Sequence, residues 1–535
     1  MIRYNGKSKQ RRTQAATAPA PVKGINASQS LAEMDPTDAL YLYNLLPTEI
    51  GLQTRLGYRE WATGMVPTLD GILTIIPFTG MVGGVLTSKL FAACNRGVYD
   101  ITDSTAAPAE VYVWPDRSEL AGYCSYAPYT SQNSDTFLLV ADWVNGLVEY
   151  DASTETWAPS TITGVDVGTL NFVVNHHNRF WFVQRASADA WFLDPGVKAG
   201  AATRYPFGSA FAKGGDLVGL YPWTNGDGSG LNDDLVVVSR AGDVLHYRGT
   251  DPTLTTSWAR VGRHAIGRIP AGNRVAAAYG ADLFLLSRYG LVSMRDLSSL
   301  ENAAMAESPT KRVEPIIRTQ MGNYLEDIGW EVTVLPGSNT LSIVSPWVPG
   351  RTTYPVQFTM SLSTGAWGIS RGMDLRTVVE HRSNVYWGDM VKGTVYVMID
   401  GPDNVLLDGS GGYPVQFSSL TAYTGMGAPA NTKIVHMIRA RFLSDTSPAM
   451  EHRAFYNYDL TVPPTAPPYQ ESEFSAWDVS LWDSGVWVSA PYGKDQKQGS
   501  SGIGHMVAIA SRGQTTQRVT MVQYDAMAEL ASGYI

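Results

Sequence analysis

A glycine, two or three strand formers and then an acidic or polar stop recur along this chain. The pattern reads RGVYDIT at Gly97, NGLVEYDA at Gly146, GDVLHYRG at Gly242, YGLVSMRD at Gly290 and KGTVYVMID at Gly393. The intervals are 49, 96, 48 and 103 residues, or one, two, one and two units of about 50. Two copies that have lost the glycine fit near DAWFLD (189–194) and NTLSIVS (339–345). A second apolar run precedes each copy, as in KLFAACN, TFLLVAD, NRFWFVQ, DLVVVSR, DLFLLSR and NVYWGDM, so every unit contains a hairpin of two apolar strands. Tryptophan tags follow some units, at Trp157, Trp258 and Trp367, again two units apart. A unit of this size cannot cover its own apolar faces, but stacking around an axis can. The expectation is an all-β fold in which six or seven four-stranded blades close into a β-propeller-like ring. LVEYDASTETWAP has the look of a kelch blade end, but the kelch glycine pair is absent and the repeat class stays unnamed.

Around this ring (72–414) the sequence changes character. Residues 1–22 are polar and carry Arg3, Lys7, Lys9, Arg11 and Arg12, which reads as a flexible basic arm, or as one that orders against a neighbouring subunit or an acidic surface. Residues 23–71 form an N-terminal docking and closing segment: Asp35–Pro36 signals one short helix, and the extended run from Leu52 to Trp61 is a candidate for closing the ring. Residues 415–535 read as a C-terminal, sandwich-like β domain, because KIVHMIRARFLSD, MVAIASRG and RVTMVQYD alternate in polarity. Within it, after the stiff VPPTAPP connector (462–468), FSAWDVSLWDSGVW sets Trp477, Trp482 and Trp487 at steps of five, two of them followed by Asp478 and Asp483. That period suits neither helix nor strand and suggests a turn ribbon, with carboxylates on backbone N–H groups and indoles docked inward. Packing within the domain, clamping of a subunit interface and stacking on a sugar or base all stay open for these five residues.

The 535 residues are 44% hydrophobic and only 17% charged, ample for large cores. A net charge of −9 lacks the basic footprint of a protein that grips phosphates, and suits a surface that DNA slides past. Cys94 and Cys124 lie in apolar strand-like runs and read as buried free thiols. The first residues lack the apolar core of a secretory signal, and the longest apolar stretch, 71–86, is broken by Pro77 and glycines, so no membrane anchor is expected. His176 and His177, as strand neighbours, would face opposite ways, and the other histidines lack ligand spacing. Asn225, Asp227, Ser229, Asp233 and Asp234 could offer oxygens to calcium, as could 400–409, but the first group lacks a closing bidentate Glu, and an acidic hairpin tip explains it equally. SLSTGAWG resembles the aspartate box of sialidases with Ser363 in place of the aspartate. No serine elbow, phosphate loop or paired-cysteine motif occurs, so the expectation is no catalytic residue, no cofactor and no metal.

Two stretches resemble one family together. APVKGINASQSLAEMDPTDALYLYNLLPTEIGLQTRLGYREWATG (19–64), with Asn44–x–x–Pro47 and then Arg55–x–Gly57–Tyr58, is similar to the opening of tail nozzle proteins of short-tailed bacteriophages, also called tail tubular protein B or packaged-DNA stabilisation proteins. The late FSAWDVSLWDSGVW and IASRGQTTQRVTMVQYDAMAELASGYI are similar to the end of such proteins. The resemblance implies a structural virion protein, a β-propeller with further β domains assembled as a homo-hexameric ring below the adaptor (head-completion) proteins. The ring would hold back packaged DNA, conduct it at ejection without sequence-specific binding and offer a surface for tail fibres. Such a protein is made in the host cytoplasm and resides in the virion. Two other classes stay open: a propeller-type carbohydrate- or receptor-binding tail protein, and a propeller glycoside hydrolase, which would need carboxylates clustered at the axis.

Overall fold

A computed structural model describes residues 12–65, 71–130, 136–226, 231–299, 308–348, 355–445, 448–461 and 492–530. Strands dominate, and seven sheets follow one another around an axis. Blade 1 spans Thr74–Val82, Val85–Ala93, Gly97–Asp100 and Ala109–Val113. Blade 2 runs from Cys124 to Pro159, blade 3 from Leu170 to Pro206 and blade 4 from Leu217 to Ala265, each with four antiparallel strands in order. Blade 5 has three, Ala276–Tyr279, Asp282–Ser287 and Gly290–Ser293. Blade 6 has Glu331–Leu335, Thr340–Val344, Gln357–Ser361 and Trp367–Ser370. Blade 7 has Leu375–His381, Asn384–Asp389 and Val395–Ile399. The ring therefore has seven blades, within the expected range.

The repeated glycine opens, or lies just before, the third strand of its blade, and in blades 2 and 7 the aspartate that ends the second strand caps the turn between them. Asp142 accepts the N–H groups of Val144 and Asn145, and Asp389 those of Val391 and Lys392. At Gly242, with φ +92°, a Cβ would lie 1.9 Å from the Gly267 carbonyl oxygen; only glycine allows that approach. The tryptophan tags are the outermost strands, and two of them lean on the preceding blade. Trp157 of blade 2 meets Phe91 of blade 1 at 5.2 Å, and Trp258 of blade 4 stacks on Trp181 of blade 3 at 5.6 Å. One placement differs from the sequence reading: 339–345 falls on the second strand of blade 6, not the third. The third, Gln357–Ser361, comes after an insertion that breaks the spacing.

Two irregular blades locate the ends of the chain. Blade 5 replaces its outer strand with the helices Met294–Ser299 and Glu314–Tyr324, which the repeat pattern did not reveal. The second starts at Glu314–Pro315 and buries Ile317, Met321 and Tyr324, a spacing of one helical face. Blade 7 takes its outer strand from the front of the chain: Gly57–Ala62 pairs antiparallel with Val395–Ile399. Ile72, Ile75 and Leu90 of blade 1 then share a core with Tyr386, Val395 and Val397 of blade 7, and the circle is shut. Separate or continuous apolar cores fill every other junction between blades.

Beyond the ring, two sheets face each other as a sandwich. One is blade 6 itself, continued through Ala39–Tyr43, Val415–Thr421, Val507–Thr515 and Ala449–Tyr456 into eight strands. The other is built on Val519–Leu530 and Lys433–Ser444. The arm is not free over its described part: Arg12–Pro19 pairs antiparallel with Val519–Leu530, in register from Arg12↔Leu530 to Pro19↔Gln523. That strand's edge, left open by Lys433–Ser444 on its other side, supplies the hydrogen bonds. Nor is there a helix at Asp35. Its carboxylate accepts the Thr37 N–H at 2.8 Å and closes a turn that leads straight into Ala39–Tyr43.

Candidate functional site

Seven inner strands begin at the same end of the ring, and there the axis is occupied. Arg274, just before the inner strand of blade 5, reaches across it. One guanidinium nitrogen donates to Glu331 of blade 6 at 2.8 Å and to the Leu73 carbonyl of blade 1 at 2.9 Å. The other donates to the Cys124 carbonyl of blade 2 at 3.0 Å and to the Thr74 hydroxyl. The group lies 4.2 Å over the Tyr123 ring. Glu331 in turn accepts the Thr377 hydroxyl and the Val378 N–H of blade 7, each at 2.9 Å. Asn273 completes the circle: its side chain donates to the Asn171 carbonyl of blade 3, and its own carbonyl accepts the Tyr221 hydroxyl of blade 4.

All seven blades thus meet through two adjacent residues of blade 5. Burial disfavours the Arg274 charge, but the Glu331 carboxylate beside it more than compensates and its pKa is raised. Burial pushes the Tyr123 phenol up as well, so it stays a neutral hydrogen-bond partner. The arrangement is an axial lock: a buried ion pair whose other hydrogen bonds are satisfied by the ring it closes.

A second set of contacts sits where the front of the chain meets blade 7 and the sandwich. Asn44, at φ +57°, donates to the Gln416 carbonyl at 2.7 Å and accepts from Arg55 Nε at 3.0 Å and from the Arg371 N–H at 2.7 Å. Arg55 grips Asp403 through both terminal nitrogens, at 2.7 and 2.6 Å, with side chains only 8% and 4% exposed. Gly57 lets two carbonyls in, those of Gly401 and Pro402, within 2.2 and 2.3 Å of where a Cβ would be. Tyr58 sets its ring edge-on to Trp387 and Tyr396, at 4.9 and 5.1 Å, and its hydroxyl lies 3.3 Å from that of Tyr413. The sequence pattern Asn44…Arg55–x–Gly57–Tyr58 is the stitching of this junction.

The calcium candidates are otherwise engaged. Asp233 accepts the Thr224 hydroxyl at 2.7 Å, Asp234 pairs with Arg248, and Asp227 lies outside the described residues, as do Ser229 and the side chain of Asn225. In 400–409, Asp403 belongs to Arg55 and Asp408 caps the Ser410 turn. Among the described residues no group of three or more His, Cys, Asp or Glu is placed to hold a metal ion. His176 and His177 do not face opposite ways: His177 enters the turn at φ +51°, and the two rings lie 4.2 Å apart. Burial holds His176 down at about 4. Cys94 and Cys124 are buried and free. Trp477, Asp478, Trp482, Asp483 and Trp487 lie outside the described residues. Sequence reasoning missed the lock altogether; its only local sign is an arginine in an otherwise apolar, glycine-rich lead-in to a strand, IPAGNRVAAAYG.

No family model matches the chain, and no curated protein does. Among solved structures, the extracellular domain of a hybrid two-component system from B. thetaiotaomicron matches over 80% of this chain and 60% of its own, at 8% identity and a TM-score of 0.40. YCF48 bound to D1 peptide matches over 68% of this chain and 98% of its own, at 10% identity and a TM-score of 0.36. BBS1N in complex with ARL6DN matches over 45% and 73%, at 14% identity and a TM-score of 0.28. The ring of blades is therefore read from the sheets and their cores.

Proposed function

We propose that this chain is a structural subunit of the tail nozzle of a short-tailed bacteriophage, set below the portal and its adaptor, retaining packaged DNA and forming the conduit for its ejection. The junction carries this reading. Asn44, Arg55, Gly57 and Tyr58, the front half of the sequence resemblance, make the specific contacts of that seam. The strands Val507–Thr515 and Val519–Leu530, which belong to the late half, are bonded in the same two sheets as the front segment. A resemblance that brackets the sequence is thus a resemblance within one folded unit. The axial lock adds a constraint: a propeller spanned by Arg274 cannot pass a duplex, so DNA would run beside it, in a lumen lined by several copies. The role is structural rather than enzymatic and needs no cofactor; the partners are further copies, six by resemblance, with adaptor proteins and fibres, in the virion. Electron microscopy of the purified protein mixed with a portal–adaptor complex tests it. An added axial ring is expected, and its absence at saturating protein overturns the reading.

One observation favours the receptor-binding alternative. A groove of about 660 Å³ on blade 5 is lined by Arg288, Tyr289, Arg318, Asn323, Glu326 and Asp327. Tyr289 is 45% exposed, with the Arg288 and Arg318 guanidinium groups 5.4 and 4.9 Å from its ring. An aromatic face edged by polar groups can take a sugar. Binding on a glycan array that Tyr289→Ala abolishes would support this second reading.

A further inference from the structure

The net charge conceals a steep division around the ring. Residues 74–169, blades 1 and 2 with the turn that follows them, hold eleven Asp and Glu against Lys89, Arg96 and Arg117, a net of −8. Residues 240–324, the outer part of blade 4 and all of blade 5 with its helices, hold eleven Lys and Arg against seven Asp and Glu, a net of +4. The two groups lie three blade steps apart in a ring of seven, nearly opposite one another. On the acidic flank Asp103, Glu110, Asp116, Glu119 and Asp166 are exposed, as is Glu155, paired with Lys89. On the basic flank Arg260, Arg263, Arg288 and Arg295 are exposed, as are Arg268, paired with Glu326, and Arg318, paired with Glu314.

Each flank also ends in an outermost strand with an exposed valine and an edge that is unpaired among the described residues. In blade 1, Ala109–Val113 carries Glu110 and leaves Val113 46% exposed. In blade 4, Trp258–Ala265 carries Arg260 and Arg263 on either side of Val261, which is 49% exposed. An exposed apolar side chain on a strand that carries charge of one sign makes a good contact with a surface of the opposite sign. Because the two flanks differ and lie on opposite sides, their contact is heterologous: it repeats from copy to copy and builds a ring or a filament, not a closed pair.

We propose that copies of this chain join head to tail, the acidic flank of blades 1 and 2 on one docking against the basic flank of blades 4 and 5 on the next. This builds on the reading of the chain as one subunit of a ring and names the surfaces that make it. The acidic flank then lies between subunits rather than against the DNA.

The test reverses each flank separately in the full chain, as D116K/E119K and as R260E/R263E, and follows self-association by sedimentation at high protein concentration. Equal thermal midpoints by circular dichroism establish that both variants fold. Wild-type association should weaken at least about tenfold between about 50 and about 500 mM salt, since screening shortens from about 14 to about 4 Å. Each variant alone should stay monomeric, and an equimolar mixture of the two should recover association, because every contact then pairs opposite charges again. Wild-type association in either variant, or a mixture that fails to recover it, overturns the proposal. So does a R260E/R263E variant that loses a short DNA duplex but associates normally, which would make the basic flank a polyanion site. Addition to the portal–adaptor complex is scored apart. Copies that associate but never join it sink the nozzle and keep the contact; variants that join it as wild type does sink the contact and keep the nozzle.

Discussion

Arg274 and Glu331 show how much one pair can hold when the fold converges on it. Replacing Arg274 by Met would leave a buried carboxylate unpaired and strip bonds from blades 1 and 2, at a cost of about 3–5 kcal/mol. Denaturant titration should show that loss, while R274M/E331L recovers most of it. Arg274→Lys keeps the charge but not the fork, and should fall between the two. Histidine burial makes a second prediction. His452 is fully buried, with Nδ1 2.8 Å from the Ser511 hydroxyl, and burial holds its pKa down at about 4. Unfolded, the same imidazole titrates near 6.5, so the unfolded chain takes up the proton first as pH falls. The stability this neutral histidine contributes is present above pH 6.5 and drains away as pH drops through about 4, at up to about 1.4 kcal/mol per pH unit. Urea midpoints between pH 7 and 4.5 should therefore fall more steeply for the wild type than for His452→Asn. His176, with the same sign, adds to the wild-type slope.

At the scale of elements, the strand Gly57–Ala62 matters most, because it closes the ring from outside the repeat. Tyr58 is its anchor, 5% exposed between Trp387 and Tyr396. Tyr58→Ala should cost about 3–5 kcal/mol through the cavity left behind, and Tyr58→Phe about 1 kcal/mol through the hydroxyl alone, both read from equilibrium unfolding. A chain cut to 72–414, the span the repeat marks out, should fail to give soluble protein, since Val395–Ile399 would lose its outer partner and stand as an open edge. The blades themselves were legible, because each repeats a local device: apolar second strand, polar stop, glycine, third strand. The helices of blade 5 were not, although Ile317, Met321 and Tyr324 carry helical spacing, because the repeat pattern claimed the region for strands. Likewise Asp35–Pro36 has the residues of a helix start, yet Thr37 takes the carboxylate locally and Ala39 is drawn into a sheet.

For the whole molecule, ring and sandwich are one body: an eight-stranded sheet runs from blade 6 into the sandwich, and one apolar core extends from blade 3 through both. Calorimetry should accordingly show a single transition, and two resolved peaks would mean the shared sheet does not couple them. Composition and the 50-residue period determined the class of fold, the blade as its unit and the need for a ring, because a strand's alternation and a turn's glycine are written in neighbouring residues. The tertiary structure decided what shuts that ring. Arg274 and Asn273 together join the six other blades, Arg55 finds Asp403 across 348 residues, and the arm lies along the last strand, in contacts that occur once each and leave no period to read. Local chemistry repeats and can be seen in a sequence; closure is a single long-range event, and its partners are fixed only when the chain has come full circle.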